Sequence, residues 1–122
     1  MAVGRAEVWR TGEDVAAAHL RSLGWRILER NWRCSAGELD IIAVQPGTPE
    51  VVVFCEVKCR RGTAFGQPIE AITAAKVGKL RELVLHWLRA QDRPTPSIRV
   101  DAIGVLLATD APPLVDHRRG IC

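Results

Sequence analysis

Nowhere does the sequence stay apolar for long. Its longest such segments, Val51 to Cys55 and Ala102 to Ala108, fall far short of the roughly 20 residues that a membrane-spanning helix needs. The opening MAVGRAEVWR carries charges where a secretory signal has its apolar centre, which argues against that route of export and leads us to expect a cytoplasmic protein with no membrane partner. No CxxC pair occurs among Cys34, Cys55, Cys59 and Cys122, and Cys55 and Cys59 stand four apart on a predicted strand, too far for a normal disulfide. They are read as buried thiols that pack as small hydrophobes. Charge of one sign is lacking too: 17 basic and 14 acidic residues give +3, which alone points to no partner. Repeats and low-complexity segments are absent.

What is present is the composition of one compact domain. The chain has 122 residues, 48% apolar and 25% charged, enough for a single hydrophobic core and too few for two. We expect one domain over 1–122, with its core at about 7–107 and a tail at 108–122. Residues 7–23 read as a helix stopped by Gly24, and 25–33 as a first strand at a sheet edge. Strands follow at 38–44 and 51–58, separated by the turn-forming QPGTPE. RRGTAFGQP predicts an irregular exposed loop. Residues 69–90 predict the main packing helix, with Ile69, Ile72, Leu80, Leu83, Val84 and Trp87 on one face. DRPTPS ends it, a strand follows at 98–107, and LVDH at 114–117 suggests a short last one. The order α-β-β-β-α-β predicts an α/β fold, a mixed sheet flanked by helices.

The segment VVVFCEVKCRR, residues 51–61, begins like a buried strand and ends in charge. Alternation puts Val51, Val53, Cys55, Val57 and Cys59 on one face and Val52, Phe54, Glu56, Lys58 and Arg60 on the other. An acid and a base thus stand at the rim of the core. In the preceding strand Glu38 and Asp40 share a face opposite Leu39, Ile41 and Ala43, and antiparallel pairing brings Asp40 beside Glu56. Opposed carboxylates repel unless something positive lies between them, either Lys58 or a divalent cation. Glu13 projects from the small apolar face of the first helix, three, four and seven residues before Ala16, Ala17 and Leu20. Lys76 lies between Ile72 and Leu80 on the buried face of the long helix. Asp40 and Glu56 suit a hard cation such as Mg²⁺, which takes few protein carboxylates and keeps water.

That ordered set closely resembles the PD-(D/E)xK nuclease superfamily: Asp40, then Glu56-Val57-Lys58 after a hairpin, with Glu13 on the helix before. More narrowly, RTGEDVAAAHLRSLGWRILERNWRCSAGELDIIA, VVFCEVKCRRGTAFGQPIEAITAAKVGKL and IRVDAIGV look like the YraN-like family of bacteria, related to Holliday-junction resolvases. The resemblance runs from about Arg10 to Leu107. It implies a restriction-endonuclease-like fold and Mg²⁺ or Mn²⁺ held by Asp40, Glu56 and the carbonyl of Val57. Lys58 would be the catalytic lysine, and Glu13 an added acidic ligand or a water-positioning group. Lys76 matches a basic position that contacts phosphate, and Leu39 replaces the proline of the superfamily's name.

We therefore expect a metal-dependent endonuclease acting on DNA, with branched or otherwise structured DNA as its substrate and a homodimer where the substrate is a two-fold junction. Arg60, Arg61, Lys79 and Arg81 cluster in sequence near the site and would hold phosphates. The alternative is a non-catalytic nucleic-acid-binding or partner-docking module on the same fold. Asp101 is read as a loop-facing or sheet-edge charge outside the site. Glu38 serves the turn or the site. His19, His86 and His117 have no partners at ligand spacing. Trp9, Trp25, Trp32 and Trp87 are core or half-buried anchors, with base stacking as the lesser reading.

Overall fold

The computed structural model describes residues 4–62 and 66–122. Its elements are α1 (Arg5–Ser22), β1 (Arg26–Cys34), β2 (Gly37–Gln45), β3 (Val51–Arg60), a 3₁₀ turn at Pro68–Ala71, α2 (Ala74–Arg89), β4 (Ile98–Leu106) and β5 (Leu114–Arg118). The α/β expectation holds. One five-stranded sheet has the order β1-β2-β3-β4-β5. The strands pair antiparallel except β3 and β4, which run parallel. Parallel neighbours need a crossover, and α2 supplies it.

The two faces follow the alternation of β3. Val53, Cys55 and Val57 pack with Ile41, Ala43, Ile103 and Val105 beneath Ala16, Ala17 and Leu20 of α1. Phe54 packs with Ile42 and Val100 beneath Leu80, Leu83, Val84 and Trp87 of α2. Small residues bring α1 close to the sheet. A methyl group on Gly12 would collide with Cβ and Sγ of Cys59. Gly104 likewise lets the 3₁₀ turn lie on β4, where a Cβ would stand 3.1 Å from the nitrogen of Ile69.

Several expectations need correction. The helix expected at 69–90 is two pieces, because Thr73 starts α2 afresh with its Oγ1 accepting from the Lys76 nitrogen at 3.3 Å. Pro68 opens the turn before it. Ile69 and Ile72 consequently leave the packing face of α2 and line a separate cavity with Val77 and Ile121. Leu39 joins Ile42 in the α2 core rather than Ile41 and Ala43. Alternation fails there, beside Asn31 of β1, whose φ of 55° departs from strand geometry. The thiols are not uniformly buried: Cys55 is buried, Cys34 and Cys59 half-buried, Cys122 exposed, and all four are free. The loop expected over 60–68 falls partly on 63–65, outside the described residues. Among the described residues no helix is long and apolar enough to cross a membrane.

Asp101 is the largest departure. It is fully buried in β4 rather than facing a loop. Arg99 donates to both its oxygens at 2.8 and 3.0 Å, and the Gly120 nitrogen donates at 3.0 Å. His117 Nε2 lies 2.8 Å from it, and His117 Nδ1 lies 3.0 Å from His19 Nε2. Two histidines without partners at ligand spacing in the sequence thus form one chain from β4 through β5 to α1. Burial alone would raise the Asp101 carboxyl, but His117, Arg99 and Gly120 outweigh it and hold it down at about 2.

A candidate active site where two strands part

The ladder between β2 and β3 ends at this side with Ile41 opposite Cys55. Continuing that register sets Asp40 opposite Glu56. The carboxylate of Asp40 takes over there, with Oδ2 accepting from the backbone nitrogen of Val57 at 2.8 Å. A side chain thereby satisfies a strand nitrogen and is itself locked in place. Both acids are buried, Asp40 at 9% and Glu56 at 5% exposure. Burial first and the charge of Glu56 second push the Asp40 carboxyl well above the usual carboxylate range, against the opposing pull of the Val57 nitrogen.

Two ammonium groups converge on Glu56. Lys58 Nζ lies 3.6 Å and Lys76 Nζ 3.4 Å from the same oxygen, Oε1. Lys58 arrives by strand alternation, two residues along β3. Lys76 arrives from the first turn of α2, where the Thr73 cap sets its position. Its ammonium is stabilised chiefly by Glu56, against the desolvation that burial imposes. Around this cluster lies a cleft of about 420 Å³, walled by Trp9, Gly37, Glu38, Lys79, Leu80 and Leu83 as well.

The structure brings together Asp40, Glu56, Lys58 and Lys76, with Val57 contributing through its backbone while its side chain sits in the α1 core. Glu13 stands close enough to add to the upward shift of Asp40, but it faces β1. Its Oε1 accepts from Arg30 Nε at 2.8 Å and Asn31 Nδ2 at 3.1 Å, while its buried Oε2 has no hydrogen-bond partner among the described residues. Arg30 and Asn31 were not foreseen. A signal was available: a buried acid demands a base, and Arg30 lies on the strand next to the one that carries Asp40.

The basic residues divide. Lys76 and Lys79 line the cleft, Lys79 also reaching Glu82 at 3.3 Å. Arg60 and Arg61 follow at the end of β3 and are not among its lining residues. Arg81 lies elsewhere, in a cavity with Leu85, Ile98 and Cys122. Glu38 lines the cleft while pairing with Arg33 at 3.0 Å.

Among the described residues no group of three or more His, Cys, Asp or Glu is arranged to hold a metal ion. The donor set at the cleft is the two buried carboxylates of Asp40 and Glu56. Two carboxylates fit Mg²⁺ or Mn²⁺, because such ions retain several waters.

A model of the uncharacterised protein family UPF0102 matches residues 12–105. Similar proteins include UPF0102 proteins of Mycobacterium sp. (strain JLS), 46% identical over 96% of this chain and 86% of the relative, and of Mycolicibacterium smegmatis, 47% identical over 96% and 94%. Another, from Nocardia farcinica, is 46% identical over 90% of this chain and 84% of its own length.

Proposed function

From the premise that this chain belongs to the uncharacterised protein family UPF0102, we propose that it is a metal-dependent nuclease that hydrolyses DNA phosphodiesters. One observation carries the reading: buried Asp40 and Glu56 are neighbours in one cleft, with the Lys58 and Lys76 ammonium groups on Glu56. Two adjacent buried carboxylates repel each other, and a cleft that keeps them together suits a divalent cation. Resemblance to the PD-(D/E)xK superfamily gives the same assignment, with branched or structured DNA as substrate.

Asp40 and Glu56 would hold the ion, which when bound supplies Lewis-acid polarisation of the phosphodiester. The chain's own groups do the rest. The Val57 nitrogen fixes the Asp40 carboxylate, and Lys76 tethers Glu56 from the far element. Lys58 orients the attacking water and neutralises charge that develops on the phosphoryl oxygens. Water attacks phosphorus, a new P–O bond forming as the bond to one ester oxygen breaks, and the proton released by the water ends on that leaving oxygen. Lys79 adds positive charge to the cleft for the flanking phosphates.

A second reading has support in the same contacts. Two lysines already occupy one oxygen of Glu56, as they would in a self-neutralised module that binds DNA or a partner without cutting. Cleavage of labelled four-way-junction, flap, single-stranded and duplex DNA with Mn²⁺ separates the two. The nuclease reading expects the wild type to cut, and Asp40→Ala and Lys58→Ala to lose at least about 100-fold. Binding without cutting in all three proteins would replace it with the docking module.

A further inference from the structure

Trp9 stands four residues before Glu13 on α1, so the two share a helical stripe one turn apart. The stripe continues through Gly12, Ala16 and Leu20, all buried in the structure. Trp9 overshoots that buried surface. It belongs to neither hydrophobic core, is 36% exposed, and walls the cleft of Asp40, Glu56 and Lys76. This placement leaves a large indole face partly in water beside the charged groups of the cleft. As recognition it has a use.

Resting on the phosphodiesterase reading above, we propose that Trp9 is a stacking platform for an unpaired nucleobase, so that the cleft takes single-stranded or unpaired DNA in preference to intact duplex. Inside a duplex each base is stacked on its neighbours and paired along its edge, so an aromatic side chain can cover a base face only where the base has left the stack. The rest of the cleft suits such a strand. Lys79, contributed by α2, brings an ammonium group for the phosphates beside the stacked base. Aromatic faces interleaved with positive charge are the common means of holding single strands without reading their sequence. The cleft volume of about 420 Å³ lies in the range of pockets that hold a small-molecule-sized ligand.

The test is the affinity of the full chain, with Ca²⁺ in place of Mn²⁺, for an oligonucleotide of about 12 nucleotides and for a fully paired duplex of the same sequence. A 2-aminopurine in the single strand reports stacking by its quenching. Trp9→Ala should weaken single-strand binding by about 5- to 150-fold, the range set by base–aromatic stacking, and should relieve the quenching. Trp9→Phe should stay within about threefold of wild type, while Trp9→Leu, apolar but without an aromatic face, should resemble Trp9→Ala. Duplex affinity should change by less than about twofold, since Trp9 has no base face to reach there. Wild-type affinity in Trp9→Ala, rescue by Leu as good as by Phe, equal losses on duplex and single strand, or no single-strand binding by the wild type would each overturn the inference. Mn²⁺ cleavage that persists alongside Trp9-independent binding would remove the stacking inference alone. Trp9-dependent binding with no cleavage of any DNA would remove the hydrolytic reading alone.

Discussion

Asp40 carries conflicting demands within one side chain. Its Oδ2 is required as acceptor for the Val57 nitrogen, yet its charge lies buried against Glu56. Because its carboxyl titrates above the ordinary range, the folded protein holds a proton that the unfolded chain has already lost. Stability therefore falls as pH rises from the ordinary Asp value, about 3.9, through the folded one. Asp40→Asn keeps an oxygen for Val57 and removes the cost of holding that proton against Glu56. It should raise metal-free stability by about 1 kcal/mol at neutral pH while abolishing cleavage. Urea denaturation with a parallel activity assay checks both, and a destabilised Asn variant would show that the carboxylate pair is not strained. Asp40, Glu56 and Lys58 were legible because strand alternation and antiparallel pairing are local rules. Arg30, the partner of Glu13, was signalled only in part: a buried acid demands a base, but the spacing along the chain does not say which one meets it.

Among the elements, α1 and β5 are held by contacts that are sensitive to small changes. Gly12 gives α1 its close approach to β3. Gly12→Ala would ordinarily favour a helix by about 1 kcal/mol, but the collision with Cys59 should dominate and destabilise by about 1–3 kcal/mol, read as a lowered thermal midpoint. The β5 strand, in turn, is tied by Asp101, His117 and His19. His19 titrates below its ordinary value, chiefly through burial and then through His117 and Arg119. The unfolded chain thus takes up that proton first, and stability should fall as pH drops below about 6.5. Asp101, held at about 2, contributes stability that is complete above its unfolded value of about 3.9 and lost as pH falls through the folded one. Acid titration of stability should show both losses, and His19→Gln should abolish the upper one alone. An unchanged upper loss would place it on another group. The strand at 114–117 could be anticipated from its residues; that it closes a buried ionic network could not.

For the whole molecule, the proposed ion should couple to folding. A ligand that binds only the folded state stabilises it by about 2.7 kcal/mol at a concentration 100-fold above its dissociation constant. Saturating Mn²⁺ should then raise the thermal midpoint by several degrees in wild type, and by far less in Asp40→Ala, in scanning calorimetry. Equal shifts in both proteins would place the ion somewhere other than this cleft.

Hydrophobic periodicity and turn residues by themselves determined that the chain forms an α/β domain, where its strands lie and that two acids and a lysine meet at the end of one of them, because each depends on neighbours within a few residues. Only the tertiary structure decided that Thr73 splits the expected helix, that Asp101 and its histidines are buried, that Arg81 faces another cavity, and that Trp9 is left outside both cores in the cleft. These depend on how far α1 overshoots the sheet and which elements β3 and β4 bring together, and such distances arise from packing between segments remote in sequence.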